Sequence, residues 1–189
     1  MENLANFLLQ ISPLSDEPLG LLRSNIVADR LESGDYFVRE GEYVNEIAFL
    51  EVGVVRAFYT SKDGKEYNKT LFSAPAIIGS YASLITKEKN RLPQQALTDC
   101  VIWRLDYGVI ERVSENNYEL ERLRRRIAER FFVANEEKEL EMALLDAKER
   151  YLMFRREHPG LEDAIPQYHI ASYLGISPTQ LSRIRQKLN

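Results

Sequence analysis

The stretch Pro166–Asn189, PQYHIASYLGISPTQLSRIRQKLN, decides the reading of this chain. It carries three cationic side chains and no carboxylate side chain in a protein of net charge −4. Pro166 suits a first helical position, and Ile170, Ala171 and Leu174 follow at the spacing of one buried helix face. Gly175 supplies a left-handed residue that ends the helix. Ser177-Pro178-Thr179-Gln180 then opens a second helix with a hydroxyl cap, a proline in the first turn and a glutamine placed to close a capping box. Leu181, Ile184 and Leu188 form its buried stripe, so Thr179, Gln180, Ser182, Arg183, Gln186 and Lys187 face outward. The small Ala171 lets the two helices approach closely. These features predict a helix-turn-helix, whose second helix enters the DNA major groove. The plain alternative is a helical hairpin with a solvated polar face. DNA is favoured because the outward face has no acid to repel phosphate and holds side chains suited to base edges and phosphates. Ser177 and Arg185 complete the expected contact set.

The rest of the composition narrows the function further. With 189 residues there is room for one medium domain and a small one. Hydrophobic residues at 44% and charged residues at 29% describe a soluble globular chain, not a disordered one. No apolar run reaches the ~20 residues of a membrane span, and the opening MENLANFLLQI does not read as a secretory signal. The expected location is the cytoplasm, away from membranes. Cys100 is the single cysteine, which excludes an internal disulfide and a four-thiolate cluster. His158 and His169 lie in the helical carboxy-terminal third, outside any ligand-like cluster, so they read as structural or solvent-facing and no metal or haem is expected.

Residues 34–105 read as β structure. Strand-like runs fall at Tyr36–Val38, Ile47–Val52, Val54–Thr60, Glu66–Phe72, Ala76–Ile78 and Val101–Leu105, separated by glycine turns, with Asp63-Gly64 as a hairpin signal. Such short strands predict a small barrel or jelly roll. Leu4–Ile11 and Pro18–Ile26 read as flanking helices. From Val109 to His158 there are fifty residues without Gly or Pro, which must be mostly helical, with a break at the capping-box sequence Asp146-Ala147-Lys148-Glu149. Upstream of the break, Leu120, Leu123, Ile127, Phe131 and Ala134 form an apolar stripe. Packing on the chain's own β domain could bury it, but a stripe shared with a second subunit fits the length better. The basic run Glu121–Arg130 is interleaved with acids and reads as a solvated, salt-bridged face.

In this order the elements resemble the Crp/Fnr family of bacterial transcription regulators along nearly the whole chain. The likeness is carried by Gly34-Asp35-Tyr36 with Arg39-Glu40-Gly41-Glu42, by the hairpin Ile47–Arg56, by Ile78-Gly79 and by Ala171–Ile184. It implies an α+β chain in three parts. Residues 1–113 would form a cyclic-nucleotide-binding-like β-roll or jelly roll, 114–145 a long dimerisation helix bearing Leu120, Leu123, Ile127 and Phe131, and 146–189 the helix-turn-helix. It also implies a homodimer on a two-fold-related double-stranded DNA site, with RNA polymerase as a further partner. Arg183 matches the family's base-reading arginine, and Thr179 and Gln180 match neighbouring contacts. The effector pocket would involve Gly79, Ser80, Tyr81, Asn90 and Arg91.

Two departures stand out. In cyclic-nucleotide-binding members the glycine matching Gly79 is followed by a ribose-holding Glu, and an Arg that pairs the phosphate comes eleven residues after that glycine. Here those positions are Ser80 and Asn90, with Arg91 one step further. The resemblance therefore predicts weak or no binding of cyclic AMP, with Arg91 the one cation a slipped loop could bring to the phosphate, and leaves the effector unassigned. Family members also follow the reading helix with a β-hairpin wing, whereas this sequence stops at Asn189. Phosphate contacts from a wing are expected to be absent or replaced, which raises the weight of dimerisation. The alternative function is a ligand-binding signalling module whose terminal helices dock to protein. A cupin-like enzyme is disfavoured because residues 1–157 contain no histidine to ligate a metal.

Overall fold

The structure is a computed structural model and describes residues 2–188. Two helices, α1 (Glu2–Ile11) and α2 (Asp16–Asn25), precede eight strands, with one short helix among them. These are β1 (Ile26–Leu31), β2 (Tyr36–Val38), β3 (Glu46–Val52), β4 (Val54–Thr60), β5 (Glu66–Ser73), β6 (Ala76–Ile78), α3 (Tyr81–Thr86), β7 (Gln94–Ala96) and β8 (Cys100–Asp106). The strands form two four-stranded antiparallel sheets, ordered β1-β8-β3-β6 and β2-β7-β4-β5. Their inner faces meet through Leu31, Leu50, Val55, Ile78, Ala96 and Ile102, all buried, which is the packing of a jelly roll. Burying those side chains contributes roughly 1.5–3 kcal/mol for each large aliphatic residue.

Helices follow: α4 (Tyr107–Glu115), α5 (Tyr118–Leu144), α6 (Ala147–Glu157), α7 (Leu161–Ala164), α8 (Gln167–Tyr173) and α9 (Pro178–Leu188). The expected break at Asp146 is present, with both halves of the capping box formed between Asp146 and Glu149. A second break was not foreseen. Asn117 caps α5 by accepting from the backbone N–H groups of Glu119 and Leu120, so Ser114 belongs to α4 and the long helix starts at Tyr118 instead of residue 114. Three further elements escaped the sequence reading. β1 and β7 lie where the apolar alternation is short or interrupted, and α3 is a helix of only six residues.

The upper half of α5 is committed to the chain's own core. Leu120 and Leu123 are only 2% and 4% exposed and pack with Leu4, Leu8, Ile110 and Phe49, while Ile127 is half-buried beside them. Leu120 and Leu123 therefore offer nothing to a second subunit, contrary to the expectation that the stripe begins there. Lower on the helix the cover ends: Phe131, Phe132 and Val133 are exposed, and so is every residue from Glu129 to Glu137. The basic run also does more than sit in water. Arg122, Arg126 and Arg130, one turn apart, donate to the carbonyls of Pro13, Ile11 and Gln10, closing the carboxy-terminal end of α1 onto α5. Arg124 and Arg125 make the within-helix pairs with Glu121 and Glu129 that the interleaved acids predicted.

Candidate nucleic-acid interface and effector cavity

α8 and α9 meet at a turn built as the sequence suggested. Gly175 has φ +67, a left-handed backbone that favours glycine, while a Cβ there would meet only the movable Met142 Cε at 2.6 Å. Pro166 lies one residue ahead of the helix, at the cap. Ile170, Ala171, Leu174 and Leu181 are buried with Tyr151, Phe154, Leu161 and Ile165, and this core continues into Val54 and Leu71 of the roll. Thr179, Gln180, Ser182, Arg183, Gln186 and Lys187 are exposed on α9.

Three residues of the expected contact set have other work. The Ser177 hydroxyl accepts from the Gln180 backbone N–H (3.2 Å) and the Gln180 carbonyl oxygen accepts from the Ser177 N–H (3.1 Å), a closed capping box. Gln180 is thus turned back on its own helix end, which leaves only its amide NH2 free for a base. Arg185 is half-buried and lies 3.5 Å from Glu162, so its charge is spent within the domain and not on the outward face. Thr179, Ser182, Arg183, Gln186 and Lys187 remain the open set.

A cavity of about 1310 Å³ opens between the roll, α5 and the helix-turn-helix. Gly79, Ser80 and Tyr81 line it, whereas Asn90 and Arg91 do not. The reason is local. Asn90 is buried with its NH2 donating to the carbonyls of Arg39 (2.9 Å) and Leu92 (3.0 Å), and its own N–H and C=O bond Glu42 and Gly41. It is a loop clamp. Arg91 points into solvent beyond it. The residue missed by sequence reading is Gln94, buried on β7: its carbonyl oxygen accepts from the Gly79 N–H (2.9 Å) and its NH2 donates to the Gly79 carbonyl (3.0 Å). Gly79 itself has φ +143 and sits within 3.0 Å of Ile47 at its would-be Cβ. Both backbone groups at the mouth of the pocket are thereby already satisfied. Further along the wall, Lys138 lies 3.7 Å over the Tyr173 ring and 3.3 Å from Glu141, and burial pulls its ammonium below the usual lysine range.

Residues 28–117 match the family model of the cyclic nucleotide-binding domain. Among solved structures the chain is similar to FixK2 from Bradyrhizobium japonicum, at 17% identity and TM-score 0.74, covering 86% of this chain and 84% of that one. It is similar to CLP of Xanthomonas campestris, a c-di-GMP-responsive global regulator, at 15% identity and TM-score 0.69, covering 92% and 91%. The catabolite activator protein of Thermus thermophilus matches at 22% identity and TM-score 0.55, covering 93% and 84%. No curated protein matches the chain by sequence. The class defined here is a cyclic-nucleotide-binding-type roll joined by a long helix to a helix-turn-helix. Its fold is that of the Crp/Fnr transcription regulators. Among the described residues, no helix is long and apolar enough to cross a membrane.

Proposed function

We propose that the protein is a sequence-specific DNA-binding transcription regulator that works as a homodimer and does not answer to cyclic AMP. The observation that carries the reading is the outward face of α9: exposed Thr179, Ser182, Arg183, Gln186 and Lys187, no acid among them, on a helix capped and seated by a glycine turn. The dimer reading rests on the uncovered part of α5, where Phe131, Phe132, Val133 and Asn135 stand exposed on a helix that continues to Leu144.

Arg183 is assigned to base recognition and Lys187 to phosphate attraction, because Arg183 stands at the middle of the reading helix, one turn after exposed Thr179, whereas Lys187 lies in the last turn. A bidentate contact to guanine is worth roughly 1–3 kcal/mol of discrimination. Selection of bound sites from random DNA should show that Arg183→Ala flattens sequence preference. Lys187→Ala should weaken all DNA alike and lower the salt slope by about one. A uniform loss in Arg183→Ala, with site preference kept, would reassign Arg183 to phosphate. Absence of any salt-dependent shift on DNA would favour the alternative, docking of the terminal helices to protein.

Cyclic AMP should bind weakly or not at all. Ser80 offers no carboxylate to the ribose, Gln94 occupies both backbone groups of Gly79, and neither Asn90 nor Arg91 lines the cavity. Calorimetry should register no heat at micromolar nucleotide, and micromolar affinity would refute the assignment.

A further inference from the structure

The helix-turn-helix is held to the roll by polar contacts as well as by apolar packing. Asn68 on β5 is the centre of them. Its NH2 donates to the His169 carbonyl at 3.0 Å and lies 3.3 Å from His169 Nδ1. Its backbone N–H donates to Ser172 Oγ at 2.9 Å, and its side-chain oxygen accepts from Arg56 Nη1 at 3.4 Å. Arg56 is in turn fixed by Glu66 at 2.7 Å, by two bonds to Gln95, and by stacking 3.8 Å above Phe58. Arg56, Asn68 and His169 are each 5–6% exposed, so water cannot substitute for a lost partner.

The donors in this chain of bonds point one way. A guanidinium carries donors and no acceptor, so the Asn68 amide must turn its oxygen to Arg56 and its NH2 to α8. His169 Nδ1 then meets a donor and has to be an acceptor, which only the neutral ring with its proton on Nε2 provides. A second proton on Nδ1 would set donor against donor. Flipping the amide moves the same clash to Arg56 and gives up the bond to the His169 carbonyl. We propose that Arg56, Asn68 and His169 form an acid-released clasp that holds the helix-turn-helix against the β-roll.

The surroundings agree in sign. The charges facing His169 are Arg56 from β4 and Glu66 from β5, while α8 brings only the Tyr168 ring at 4.1 Å. Burial first, then Arg56, hold the His169 pKa down to about 4, with Glu66 opposing. The closed form therefore binds its proton less readily than the open form, and closure is lost as pH falls from about 6.5 toward 4. His158, the other histidine at this boundary, is different. Its Nδ1 lies 3.3 Å from Ser73 Oγ, and burial first, then Lys138, hold its pKa below the usual histidine range, with Glu141 opposing. Protonation there is disfavoured too, but a hydroxyl can donate or accept, so it sets no donor against a donor.

Amide hydrogen exchange of the full chain at pH 7.5 and 5.5, corrected for intrinsic rates, reads the clasp without any DNA. The opening seen at residues 167–173 should rise about tenfold over that interval, as expected for one histidine that titrates near 6.5 when open and near 4 when closed. Amides of β3 and β8, and the fluorescence of Trp103 on β8, should not change. His169→Asn places an untitratable oxygen near the Nδ1 position and should remove most of the pH response, whereas His158→Asn should keep most of it. Asn68→Ala should show at pH 7.5 at least the opening that the wild type reaches at 5.5. The proposal is overturned by a flat wild-type response, by a wild-type response persisting in His169→Asn or disappearing in His158→Asn, or by full protection of α8 in Asn68→Ala. If no DNA site is ever found, these exchange results still stand or fall alone.

Discussion

Glutamate at both Phe131 and Phe132 is expected to convert a micromolar dimer to monomers in sedimentation velocity, with the roll still folded. Phe131 is 37% exposed and Phe132 63% exposed, and neither belongs to the apolar core that holds Leu120 and Leu123. Each phenylalanine withdrawn from water contributes about 1.5–3 kcal/mol, and the two-fold seam counts both copies, so the dimer Kd should rise by ~10³-fold or more. Placing carboxylates opposite one another across the seam adds repulsion. DNA affinity should fall with it, because one reading helix alone makes half the phosphate contacts. Leu123→Glu is the instructive comparison: Leu123 lies in the chain's own core, so that change should unfold the roll instead of separating subunits. A wild type that is monomeric at micromolar concentration would remove the basis of the expectation.

Phe154→Ala should cost about 3–5 kcal/mol, the range for emptying an aromatic site in a packed core. Phe154 is fully buried at the centre of the carboxy-terminal core, with ring centroids 5.1 Å from His158 and 5.9 Å from Tyr173. The loss falls on the small domain that has least to spare. We expect DNA binding to disappear and α8 and α9 to lose amide protection, while Trp103 in the roll keeps its native emission. Denaturation followed by far-ultraviolet circular dichroism should show a separate early transition for the helical part. A single transition at the wild-type midpoint would mean that the cavity collapses without loss.

The turn at Gly175, the Ser177–Gln180 box, the Asp146 box and six of the eight strands were legible in the sequence, because each is specified by residues within four or five positions of one another. A cap needs a hydroxyl or carboxylate and a partner three residues on, and a strand shows its alternation locally. The break at Asn117 was open to the same reasoning, since an asparagine ahead of Glu119 and Leu120 is a cap signal, but the long run without Gly or Pro masked it.

What tertiary structure alone decided is where each helix face ends up. The stripe from Leu120 to Phe131 looks uniform in sequence, yet its upper half is consumed by α1 and α4 and only its lower half stays open. Helical periodicity records that a face is apolar and cannot record which surface covers it. Arg185 and Arg183 are equally basic neighbours on one helix, and only the fold brings Glu162 to the first and leaves the second in solvent. Gln94 reaches Gly79 from fifteen residues away, and Asn68 meets His169 from a hundred and one. Such pairings carry no local pattern. They arise because the roll brings β5 and β7 beside segments distant in sequence, and buried polar groups then take the partners that geometry puts within 3 Å or so.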